Sequence, residues 1–261
     1  MSNLRSLDVQ GYLSKDRMAN WYSTLLDLST TRLQRLRLMF SYDNLEMRPI
    51  DPGQFLGAPH MQSLEVLCIP SEYLISTKQH VDDFFSSSRM LPNLTTIYDD
   101  GNPLLLNIYL HRKVRRVLLE FPEFGGASPF ANLRSSKTKL THLSTEYPHR
   151  ELLKLVSDNL DLFTRLRHIG ILNFQYHLTA NITSDLALLS TLPNLSSIEL
   201  DTSQGETSYL SDLRVQLPMV IRVFHNKTIW RFYDGQWNAV SGQYTSWEIV
   251  NMGLDPSLDT L

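Results

Sequence analysis

One cysteine, Cys68, stands in a chain of 261 residues. A single thiol excludes an intramolecular disulfide framework and a cysteine-based zinc site. Placed after a predicted strand and beside Ile69 and Pro70, with no partner base in view, it reads as a structural thiol rather than a nucleophile. Long apolar runs are absent too. None approaches the roughly 18 residues of a membrane span, and no N-terminal apolar segment resembles a signal peptide. Cytoplasm or nucleus is therefore the expected compartment, with no membrane partner. Net charge is only -3, which argues against a general polyanion binder, so no nucleic acid is expected. Catalytic signatures are missing: G-x-S-x-G, H-E-x-x-H, G-x-x-x-x-G-K-S/T and G-x-G-x-x-G do not occur. No enzyme, cofactor or metal is expected.

What is present is a repeat. Leu195, Ile198 and Leu200 form the pattern L-x-x-I-x-L, in which the last two apolar residues share one side of an extended strand. Leu4-Leu7-Val9, Leu33-Leu36-Leu38, Met61-Leu64-Val66, Val114-Val117-Leu119 and Leu166-Ile169-Ile171 fit as well. Leu94-Ile97 is followed by Asp99 and Leu140-Leu143 by Thr145, so these two copies are degenerate. The first apolar residues recur at intervals of 20 to 33 residues, close to the spacing of a leucine-rich repeat.

Between copies, several return segments carry helical patterning. Glu151 to Phe163 spaces Leu152, Leu155, Val156, Leu160 and Phe163 for one helix face. Thr183 to Leu192 places Leu186, Leu189 and Leu192 three apart, with Ser184 as the expected N-cap. Pro49 to Pro59 and Phe121 to Lys137 contain Gly and Pro that predict irregular returns. No strand-and-return unit buries its apolar face alone, so stacked neighbours must supply one continuous core. The expected class is therefore α/β: a solenoid over residues 1–223, with a curved parallel sheet on its concave side and helices on its convex side. After Val223, aromatic and β-branched residues flank Asp234-Gly235, a dipeptide favoured in two-residue hairpins. Residues 224–253 read as a β-rich cap, with a third strand at Ser246 to Val250, and 254–261 as a tail.

The outward columns of the repeat supply the candidate site. The first column runs through Arg35, Arg116, His142 and His168, the second through Arg37, Glu65 and Tyr98, and the third includes Glu120, Glu146 and Leu172. Charges of both signs interleaved with exposed apolar groups such as Leu67 and Tyr98 suit a protein partner on the concave face. His142 and His168 should stack on neighbouring strands as solvated residues, titrating near about 6.5; if they contribute to binding, affinity should change between roughly pH 6 and 7.5. Glu146 adds one further donor, but no full metal set assembles. Arg112, Lys113, Arg115 and Arg116 form the densest basic run, read as a solvated face or a landing site for an acidic partner.

Eight copies at this spacing, with Pro92-Asn93-Leu94 and Pro193-Asn194-Leu195 as openings, resemble a leucine-rich repeat protein over about residues 3 to 223. The usual Asn after the strand is replaced, for example by Tyr12, Ser41, Ile69, Phe174 and Ser203. Degenerate repeats with one cysteine are similar to the repeat region of intracellular F-box proteins of the fungal type. That resemblance implies a monomeric protein-interaction module that holds a substrate for a ubiquitin ligase. An F-box-like segment does not precede the repeats in this chain, so the ligase role is implied for relatives. The alternative is a small-ligand or carbohydrate binder, or an enzyme, with its site around His142, Glu146 and His168 or on Trp230, Trp237 and Trp247.

Overall fold

Most copies of the repeat become short strands, and the residue after each first apolar position acts as the joint. The Arg5 carbonyl accepts bonds from the Gln34 and Arg35 amides, Gln34 from Glu65 and Val66, and Glu65 from Thr95 and Thr96. Farther along, Arg115 accepts from Thr141 and His142, Thr141 from Arg167 and His168, and Arg167 from Ser196 and Ser197. The computed structural model describes residues 4–12, 32–41, 56–69, 90–99, 105–119, 130–136, 138–145, 149–173, 185–201, 209–226 and 228–240. Within it the chain is α/β with mostly parallel strands, and packing divides it into two compact units, 1–114 with 122–138 and 115–121 with 139–261.

In the first unit β1 (Ser6–Tyr12), β2 (Arg35–Ser41), β3 (Val66–Cys68) and β4 (Thr96–Asp99) pair in order, all parallel. Leu7 lies opposite Leu36, Leu36 opposite Leu67, and Leu67 opposite Ile97. That register corrects the third copy. Two overlapping matches exist in Met61 to Ile69, and the strand uses Leu64-Leu67-Ile69 rather than Met61-Leu64-Val66. Leu67 is accordingly in the core instead of on the outer face. Met61 is buried from the adjoining 3-10 turn, Pro59–Met61. Cys68 is buried opposite Arg37. Asp99 occupies the degenerate third position of its copy. It is fully buried and accepts the Tyr109 hydroxyl at 2.7 Å from helix α1 (Leu106–His111). Burial, then the Asp99 charge and the bond to it, holds the Tyr109 phenol well above its ordinary range. Helix α2 (Phe130–Arg134) interrupts a return expected to be irregular.

The second unit carries β5 (Arg116–Leu119), β6 (His142–Thr145), β7 (His168–Asn173), β8 (Ser197–Asp201) and β9 (Arg222–His225), again paired in order and parallel. Strand β9 belongs to a ninth copy, Val220-Val223-His225, all buried. Its third apolar position is a histidine, which hides it in the sequence. Beyond it, β10 (Thr228–Tyr233) and β11 (Gln236–Val240) turn antiparallel. Asp234 and Gly235 both have positive φ in the turn between them, the geometry a two-residue hairpin demands. The Trp237 indole donates to the Leu210 carbonyl at 2.8 Å, tying the hairpin to α5 (Tyr209–Gln216). Trp247, the expected strand at Ser246 to Val250, the tail and Ser184 lie outside the described residues.

Two returns differ from expectation for local reasons. The amphipathic stretch forms α3 (His149–Asp158) and a short α4 (Leu160–Phe163), broken where Asn159 leaves helical geometry and its side-chain amide donates to the Leu155 carbonyl. Leu153 is buried there, whereas Leu160 is exposed. Leu186, Leu189 and Leu192 are buried along a 3-10 turn, Ala187–Thr191, rather than an α-helix. Apolar residues three apart match a three-residue turn better than a 3.6-residue one. Among the described residues no helix is long and apolar enough to cross a membrane.

Candidate functional site

In the second unit, alternation along each strand sends Val117, Leu143, Ile169, Ile198 and Val223 to the core. The opposite, outer face therefore carries Arg116, His142, His168, Ser197 and Arg222. The registers put these five side by side on consecutive strands, Arg116 opposite His142, His142 opposite His168, His168 opposite Ser197 and Ser197 opposite Arg222. The imidazoles of His142 and His168 stack with ring centres 5.9 Å apart.

One strand-turn earlier, the joint residues Arg115 and Arg167 and their neighbours Lys139 and Arg165 surround the same region. Together these groups line a cavity of about 680 Å³ at the strand entries. Among the described residues its lining contains five arginines, one lysine and two histidines, and no carboxylate. Arg115, Lys139, Arg165 and Arg167 are exposed. The Lys139 ammonium donates to the Asp161 carbonyl. The walls are fixed by short polar links. Asn194, from a Pro-Asn-Leu opening, donates to the Thr164 carbonyl at 2.7 Å, and Ser196 and Ser197 both bond the Arg167 carbonyl.

The histidines are not solvated as the sequence suggests. His168 is 1% exposed, with Nδ1 2.9 Å from the Ser197 hydroxyl, Phe224 edge-on at 5.7 Å and, among the described residues, no hydrogen-bond partner for Nε2. His142 is half-buried, with Nδ1 3.0 Å from the Thr141 hydroxyl. Burial, followed by the Arg116, Arg167 and Arg222 charges, pulls His142 down to about 3. Burial and the neighbouring His142 and Arg222 hold His168 well below its ordinary value. Both imidazoles are thus neutral throughout pH 6 to 7.5, which removes the expected affinity switch in that range.

The other expected site residues fall elsewhere. Arg35, Arg37, Glu65 and Tyr98 belong to the first unit. Arg35 is exposed, and Arg37 pairs with Asp8 at 3.3 Å across neighbouring strands. Glu65 sits in the joint column, not the outward one, because of the shifted third copy; Gln34 donates to it at 3.4 Å. Tyr98 is 5% exposed, so packing leaves it little surface to offer a partner. Leu172, expected on the outer face, is buried because a bulge in β7 shifts the register and sets Leu172, not Ile171, opposite Leu200. Glu120 and Glu146 lie outside the described residues. Arg112 is buried with its guanidinium on the His111 carbonyl, while Lys113 is exposed. The sequence reading missed Lys139, Arg165, Arg167 and Arg222. Its columns began one residue too late; the residues flanking each first apolar position, Lys113, Lys139 and Arg165 before it and Arg115 and Arg167 after it, carry the signal. No group of three or more His, Cys, Asp or Glu able to hold a metal occurs among the described residues.

Fold and site together define an α/β protein of repeated, mostly parallel strands with a strongly cationic cavity on the sheet of its second unit. The sequence matches no protein-family model and no curated protein.

Proposed function

We propose that the chain is a non-enzymatic recognition module, a leucine-rich-repeat solenoid similar to the substrate-holding region of F-box receptors of ubiquitin ligases. In this reading it works as a monomer in the cytoplasm or nucleus and holds an acidic protein segment on the outer face of the sheet. The observation that carries it is the in-register row Arg116, His142, His168, Ser197 and Arg222 bordering an open cationic cavity. Arginine is enriched among interface anchors and holds a carboxylate through two parallel bonds. Arg116→Glu should lower affinity for a partner captured from the source cells by more than about 1 kcal/mol, while Lys154→Ala, on an exposed position of α3, should not. Equal losses for the two variants would overturn it. A second reading, a small-ligand binder around His142 and His168, is favoured by one observation: both imidazoles line the cavity, whose volume suits a small molecule.

A further inference from the structure

We propose that the cavity of the second unit binds a small anion bearing two or three phosphate groups. The inference deepens the small-ligand reading and rests on it.

Six cations, Arg115, Arg116, Lys139, Arg165, Arg167 and Arg222, converge on about 680 Å³, with no acidic group among the described residues of the lining. Among the described residues, Arg115, Arg165 and Arg167 have no ion pair, so their forks remain available. Such crowding is unfavourable for the empty protein, and its field is already felt by His142, whose proton affinity three of the neighbouring arginines depress. A phosphate monoester carries about 1.5 to 2 negative charges near neutral pH. Counting only Arg115, Lys139, Arg165 and Arg167, which have no carboxylate partner among the described residues, one phosphate would leave about half of the positive charge uncompensated, whereas two or three bring enough to balance it. Arginine forks match phosphate oxygens, and Thr141, Asn194 and Ser196 add neutral polar groups to the wall. His168, also in the lining, holds a buried Nε2 with no hydrogen-bond partner among the described residues.

Size and surface argue against a nucleic acid as the occupant. The volume lies within the range of about 300 to 1,000 Å³ typical of small-molecule sites. Single strands require aromatic faces for base stacking. Phe224, the one Phe, Tyr or Trp in the described lining, is fully buried against His168 and offers no platform.

Titration calorimetry on the full chain with inorganic tripolyphosphate, at constant ionic strength, tests the proposal. One-to-one binding is expected, at least about tenfold tighter than orthophosphate or citrate. Replacing Arg165 and Arg167 together by Ala should weaken it by at least about tenfold with an unchanged melting temperature, because both are exposed. Absence of saturable binding, or equal affinity in the double variant, would overturn the proposal. Citrate binding as tightly as tripolyphosphate would overturn the phosphate assignment and leave the small-ligand reading standing; no binding of any of the three would remove both. A single-stranded oligonucleotide binding tighter than tripolyphosphate would replace the ligand class. Vesicles carrying a multiply phosphorylated inositol lipid distinguish sources. Retention on them that tripolyphosphate displaces assigns a headgroup, and tripolyphosphate binding without retention assigns a free solute; both sustain the site.

Discussion

A methyl group does not fit at position 170. A Cβ placed on Gly170 would lie 2.6 Å from the Glu199 Cβ and 2.9 Å from its Oε2, with His168 Nε2 at 3.3 Å. The near atom on Glu199 is bound to its backbone, so rotation of the side chain does not relieve the clash. Gly170→Ala should therefore destabilise the protein by about 1–3 kcal/mol, as overpacking does, in urea unfolding monitored by tryptophan fluorescence. A neutral result would mean that the outer face yields there. At this scale the sequence was legible in part. Repeat register alone placed His142 beside His168, because their positions in successive copies are equivalent. The burial of His168 was not legible, because Phe224 and Ser197 pack against it from strands that one-strand alternation does not consider. Alternation tells which face a residue is on, but not whether that face is wet.

Elements show the same division. The hairpin was readable because Asp234-Gly235 serves one backbone geometry, with φ of 52° and 80°. Nothing lies within 4 Å of a Cβ at Gly235, so substitution there tests backbone conformation alone. Gly235→Ala should cost about 1–2 kcal/mol, the penalty for an L-residue in the left-handed region. Chemical denaturation gives the value, and a cost near zero would show that the turn relaxes to another type. Elements with two equally good patterns were misread instead. Met61 to Ile69 accommodates the repeat twice, and only pairing with β2 and β4 selects between them. The bulge in β7 has no local signature, since Ile171 and Leu172 are both suitable core residues.

For the whole molecule, net charge concealed the site: a chain of -3 still gathers six cations in one place. They arrive from four different copies, so no short window of sequence contains them. The two imidazoles give the protein a pH dependence of defined sign. With folded-state values below the unfolded value near about 6.5, the unfolded chain takes up protons first as pH falls. The stabilising contribution is complete above about pH 6.5 and is lost progressively toward about 3, with a slope of at most about 1.4 kcal/mol per pH unit for each histidine. Urea midpoints at pH 7, 6 and 5 should fall in that order, and less steeply for His142→Gln; parallel curves would mean a solvated His142. One property of the outer row concerns length. Neighbouring strands are about 4.8 Å apart, so the arginines that end the row, Arg116 on β5 and Arg222 on β9, are four steps or about 19 Å apart along the sheet. Between them stand only neutral rings and a hydroxyl. The row is thus a gauge with marked ends: a ligand displaced by one strand loses an arginine at one end. The interval is set by how many repeats separate the two arginines, and gaining or losing one repeat would rescale it by one strand without altering any contact group.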